Sequence, residues 1–90
     1  MESETKYRRN EEIVFREEDD GAFLFDPDSG DLRYLNQSGK ETFLLLGEDQ
    51  SMSSVIRRMR ELYPDIDPQQ IEDDVRSFVK DLEENRFILT

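Results

Sequence analysis

The chain has 90 residues, enough for one small domain, and its net charge of -11 excludes the clustered positive field that phosphate-backbone binding needs. It contains no cysteine and no histidine, which removes disulfides, thiol nucleophiles, the usual zinc sites and imidazole acid–base chemistry. No apolar run approaches membrane-spanning length, and the opening "MESETKYRRNEE" lacks the apolar core of a secretory signal, so the sequence reads as soluble and cytoplasmic, with no membrane or nucleic-acid partner. The acidity serves solubility first and, secondarily, favours a partner that carries positive charge.

Residues 1–10 are polar without periodicity and are expected to form a flexible tail, with residues 11–90 as the domain. "EIVFREE" and "GAFLFDP" are short β-branched and aromatic runs separated by "EEDDG", which predicts two strands joined by a tight turn. The next stretch, "DPDSGDLRYLNQSGKE", has the acidic spacing of a calcium loop. Counted from Asp26, however, its fifth, sixth and twelfth positions are Gly30, Asp31 and Gln37, which departs from the EF-hand pattern at all three. Asp26 and Pro27 suit the start of a type I turn, and Gly30 is free to take positive φ, so the stretch reads as a hairpin turn leading into a third strand, Asp31 to Asn36. Ser38 and Glu41 then have capping-box spacing.

Three helices follow. "GKETFLLLGE" carries Phe43, Leu44 and Leu46 and is expected to stop at Gly47 in the left-handed conformation. "SMSSVIRRMRELYP" sets Val55, Ile56, Met59, Leu62 and Tyr63 on one face, with Arg57, Arg58 and Arg60 on a solvated face, and ends before Pro64. "DPQQIEDDVRSFVKDLEENRF" opens on Asp67 as cap and Pro68 at the first helical position, and Ile71, Val75, Phe78, Val79 and Leu82 recur at helical spacing. The order is three antiparallel strands followed by three helices, an α+β domain. A meander leaves its third strand at an edge, with Leu32 and Tyr34 on one face and Leu35 on the other. That edge can accept an extended peptide as a fourth strand, unless the tail or Phe87 to Leu89 covers the sheet.

"LFDPDSGDLRYLNQSGKETFLLL", "SSVIRRMRELYP" and "IEDDVRSFVKDLEENRFI", in that order and spacing, resemble the pyrroloquinoline quinone biosynthesis protein D family. Members of this family are the peptide-recognition elements of pathways that build ribosomally synthesised, modified peptides. The likeness spans about Glu12 to the C-terminus, and it departs at "LLLGEDQS", where many relatives have Asp-Gly and this chain has Gly47 before Glu48 and Asp49. It implies a winged-helix-turn-helix-like fold that binds the leader of a precursor peptide by strand addition and presents it to a modifying enzyme, often a radical S-adenosylmethionine enzyme. Carried over by position, Asp31, Leu32, Arg33, Tyr34 and Leu35 form the pairing edge, and proline at Arg33 or Leu35 would remove a main-chain donor. Asp74, Val75, Phe78 and Asp81 form the helical wall, although Val75 and Phe78 also fit an ordinary core. No catalytic residue, cofactor or metal is expected, and a monomer is favoured over a homodimer.

Other classes fit less well. An acidic carrier protein would need Asp28-Ser29 at a helix start, whereas these residues fall in a turn. A DNA-binding winged helix would need a basic last helix, and this one is acidic. An independent enzyme would need an acid–base pair that the sequence does not display. An acidic winged-helix interaction module unrelated to peptide modification is the remaining alternative.

Overall fold

The computed structural model describes residues 5–48 and 50–90, and the expectations for residues 1–4 and Asp49 lie outside the described residues. In chain order the elements are β1 (Lys6–Arg9), β2 (Val14–Glu18), β3 (Gly21–Phe25), β4 (Leu32–Asn36), α1 (Gln37–Leu45), a 3-10 turn (Leu46–Glu48), β5 (Gln50–Ser51), α2 (Met52–Leu62), α3 (Pro68–Glu84) and β6 (Ile88–Leu89). This is the expected α+β order of a three-stranded antiparallel sheet, β2-β3-β4, followed by three helices.

A second small sheet, in the order β5-β1-β6, was not expected. Its central strand lies within the span assigned to the tail: Lys6 and Tyr7 pair with Ser51 and Gln50, and Arg8 and Arg9 pair with Leu89 and Ile88. The charged "KYRR" carries no apolar alternation. Its backbone is ordered by partners more than 40 residues away, which local periodicity cannot report.

The β3–β4 connection folds as its residues dictate. The Asp26 carboxylate accepts from the Asp28 amide at 2.9 Å, and the Asp26 carbonyl accepts from the Gly30 amide at 2.7 Å. Gly30 takes φ of 81°, the left-handed conformation expected of it. The start of α1 differs from expectation. Asn36, not Ser38, is the cap, and its side chain accepts from the Gly39 amide at 2.9 Å; Ser38 lies inside the helix, where its carbonyl accepts from the Thr42 hydroxyl. Glu41 turns its carboxylate to Gln37 and Tyr63 instead of closing a capping box.

The end of α1 is also corrected. The chain tightens into the 3-10 turn through Gly47, which does not take positive φ. Gly47 instead makes room for Arg9, since a Cβ there would lie 3.1 Å from Nε of Arg9, whose guanidinium sits over the Phe43 ring. The αL cap occurs at the end of α3. Arg86 has φ of 64°, the Arg86 amide donates to the Glu83 carbonyl, and the Phe87 amide donates to the Leu82 carbonyl, which together make a Schellman motif. Asn10 donates from its side chain to the Arg86 carbonyl and from its amide to the Phe87 carbonyl, holding this turn against the start of the domain.

The core lies between the inner face of β2-β3-β4 and the helices, with Leu24, Phe43, Leu46, Val55, Leu82 and Phe87 fully buried. Each such side chain contributes roughly 1.5–3 kcal/mol by leaving water. Val75, Val79 and Ile71 join the core from α3 as their spacing predicts, whereas Leu44 and Leu62 are exposed. Lys40 is buried and donates to a Glu17 carboxylate oxygen at 3.1 Å and to the Glu18 carbonyl at 3.2 Å, tying α1 to β2. Arg60, expected on a solvated face, bonds to Glu72 and to the Pro68 carbonyl and so joins α2 to α3.

Candidate functional site

The sheet order leaves β4 with a partner strand on one side only. Which of its backbone groups face the open side follows from the register. The Asp26 amide donates to the Asp31 carbonyl, so this is a hydrogen-bonded pair of the β3–β4 ladder. Such pairs alternate along an antiparallel ladder, and the register Leu24 to Arg33 and Ala22 to Leu35 places those pairs in the same phase. The two-residue turn between Glu18 and Gly21 gives the same phase from the other side of β3. Arg33 and Leu35 therefore spend their amides on β3. Leu32 and Tyr34 present amide and carbonyl to the open edge, and Asn36 presents its amide. The expectation that proline at Arg33 or Leu35 would remove an edge donor is corrected accordingly.

The residues after the β4 edge lead into a pocket of about 340 Å³. Asn36, Ser38 and Gly39 supply one wall, Met59, Tyr63 and Ile66 a second, and Ile71, Asp74, Val75 and Phe78 of α3 a third. Gly39 favours this closeness. A Cβ on it would lie 3.3 Å from the Phe78 ring and 3.4 Å from Cβ of Leu35, so the bare backbone lets α1 approach α3 where β4 ends.

Farther along α3, Arg33 of β4 donates to the Asp81 carboxylate, and its guanidinium lies over the Phe87 ring at 5.7 Å. Asn85 donates to the same Asp81 side chain at 3.2 Å. The wall of α3 thus has a polar end at Asp81 and, at Phe78 and Val75, an apolar stretch that lines the pocket beside Asp74. Asp74, exposed, accepts from Gln70 at 2.9 Å. The Tyr63 phenol donates to Glu41 at 2.8 Å; burial first, then that hydrogen bond and the carboxylate's charge, raise its pKa above the usual phenol value. It therefore stays a donor at neutral pH.

The nine expected site residues are divided by this geometry. Asp31 is exposed in the loop before β4, and the side chains of Leu32 and Tyr34 point away from the helices. Arg33 is half-buried towards α3 and Leu35 is core, so both meet the site through the sheet. Val75 is core and floors the pocket, Phe78 is half-buried in its wall, and Asp74 and Asp81 flank it along α3. Sequence reasoning did not single out Gly39, Thr42, Met59, Tyr63, Ile66 or Ile71 as pocket residues. A glycine within a predicted helix was the available signal for Gly39. Among the described residues no cluster of three or more acidic side chains is placed to hold a metal ion.

No curated protein sequence matches the chain. Two solved structures share its architecture. One is described as TbiB1 in complex with the TbiA(beta) leader peptide, with a TM-score of 0.78 and 21% identity over 90% of this chain and 93% of that one. The other is lasso peptide synthetase B1 complexed with the leader peptide, with a TM-score of 0.77 and 26% identity over 93% of this chain and 98% of that one. The family model for coenzyme PQQ synthesis protein D matches residues 21–88, which run from β3 to the first residue of β6 and include the β4 edge and all of α3. The chain belongs to the PqqD family.

Proposed function

We propose that this protein binds the leader segment of a ribosomally synthesised precursor peptide as an added strand on β4 and presents it to a peptide-modifying enzyme. The observation that carries this reading is the open β4 edge, with Leu32 and Tyr34 offering main-chain donors and acceptors, set beside a pocket whose walls are part apolar and part polar and which α3 helps to form. Backbone pairing supplies affinity without regard to sequence, and the pocket selects a side chain flanking the paired segment. The two structural neighbours, both described with a bound leader peptide, support the same reading.

The domain itself carries out no bond chemistry on this account. Holding the leader turns encounter between core peptide and enzyme into an intramolecular event, so the gain depends on the reach of the chain between them. The resemblance implies a radical S-adenosylmethionine enzyme as recipient. One neighbour comes from lasso peptide synthesis, so the proposal covers peptide-modifying enzymes generally. A cytoplasmic monomer is the proposed working form, supported by the acidic composition. Calorimetric titration with synthetic leaders of the precursors encoded beside the gene, against scrambled controls, tests the proposal. Saturable binding of one leader is expected, and indifference to all of them by the folded protein would overturn it.

A further inference from the structure

The β2-β3-β4 sheet has a second face, turned away from the helices. Its register sets Val14, Phe25 and Leu32 side by side in one row and Arg16, Phe23 and Tyr34 in the next. Val14 is 53% exposed, Phe25 39%, Leu32 61% and Tyr34 54%, and the Phe23 ring lies 5.2 Å from that of Tyr34. An antiparallel sheet that meets only water ordinarily turns polar residues outward. Here five apolar side chains from three strands form one continuous plate, of the kind that marks a docking surface.

The charges around the plate determine what fits it. At the β2–β3 end, Asp19 and Asp20 are exposed, and at the β3–β4 end so are Asp28 and Asp31. The cation on the plate, Arg16, is paired with Glu18 at 3.2 Å. Both ends of the plate are therefore acidic. A second copy stacked on it would set acidic ends against acidic ends in either orientation, with a net charge of -11 on each chain. A partner with an apolar centre and a rim of lysine and arginine would gain at both ends, and an apolar aromatic core with a charged rim is the usual anatomy of such an interface.

We propose that the outer face of this sheet docks a different protein whose contact surface is apolar at its centre and basic at its rim. Naming that protein as the modifying enzyme rests on the peptide-recognition reading; the face and its chemistry do not. Docking then uses side chains of the outer face while peptide capture uses the β4 main chain and the α3 wall; the two sites meet at Leu32 and Tyr34, and the enzyme is held without competing for the α3 wall.

The test uses the full chain and each purified modifying enzyme encoded beside its gene, with leader titration run on the same preparations. The paired substitution Val14→Ser and Phe25→Ser removes apolar contact from β2 and β3; Phe25 neighbours the Leu32 side chain, but the edge amides of β4 and all of α3 keep their residues. It is expected to weaken enzyme binding by at least about tenfold while leader affinity stays unchanged. The pair Asp19→Asn and Asp20→Asn keeps turn-forming side chains and removes rim charge. It is expected to weaken enzyme binding less, and to flatten its salt dependence. Enzyme binding that survives Val14→Ser and Phe25→Ser, or that no enzyme shows with the native chain while leader binding is intact, overturns the proposal. So does a concentration-dependent dimer of the native chain that the same substitutions abolish. Absence of leader binding in the native chain would instead count against the peptide-recognition reading.

Discussion

Proline at position 34 isolates the edge chemistry. The Tyr34 amide points away from β3, so Tyr34→Pro removes a donor from the open side while the ladder bonds of Arg33 and Leu35 remain, and proline is tolerated on edge strands in that orientation. The lost bond is worth about 1 kcal/mol net, and up to about 2 when the leader carbonyl is left without a partner. The expected result is a Kd about 5- to 30-fold weaker than that of Tyr34→Ala, which controls for loss of the ring. Arg33→Pro should behave differently. Its amide serves β3 and its side chain holds Asp81, so it should cost about 1–3 kcal/mol of stability, read by urea denaturation. Calorimetric titration of a leader against folded Tyr34→Pro and Tyr34→Ala decides the matter. Equal affinities, or an Arg33→Pro variant of native stability that fails to bind, would refute the assigned edge phase.

Phe78→Ala opens the pocket wall and should weaken leader binding by about tenfold, against a stability cost of about 1–2 kcal/mol, below that of a fully buried phenylalanine. Gly21→Ala would set a Cβ 2.1 Å from the Leu35 carbonyl oxygen, so a loss of about 1–3 kcal/mol in chemical denaturation is expected. Arg86→Gly relieves a left-handed non-glycine residue and should raise stability by about 0.5–1 kcal/mol, seen as a Tm higher by about 2–8 °C. The Arg76 hydrogen bond first, with the charges of Arg76 and Arg60, holds the Glu72 carboxyl below its ordinary value of 4.5. A carboxyl lowered in the folded state stabilises near neutral pH and loses that contribution as pH falls through the lowered value. Denaturation of Glu72→Gln and the native chain should therefore differ at pH 7 and converge in acid.

The main sheet and the long helices were legible because their signals are local. Strand runs bounded by "EEDDG" and "DPDSG" gave the meander, and Asp67-Pro68 gave the start of α3. The second sheet was not legible, since "KYRR" is ordered by Gln50–Ser51 and Ile88–Leu89 across the fold. Asn36 took the cap from Ser38 because β4 runs directly into α1, so the last strand residue is already the helix cap. At the site, the period of two along "DLRYLN" separated Leu32 and Tyr34 from Leu35, but no sequence pattern states which amides face outward. That phase depends on the Asp26–Asp31 bond in the hairpin. The pocket was illegible for a related reason: its walls come from α1, α2 and α3, and each wall residue reads alone as ordinary helix packing.

Amide hydrogen exchange resolved by NMR, with and without a bound leader peptide, reads strand addition one amide at a time. Strand addition on β4 predicts new protection at Leu32, Tyr34 and Asn36, with Arg33 and Leu35 protected in both states. A leader that binds with saturation yet leaves the Leu32 and Tyr34 amides exchanging as in the free protein would contradict it.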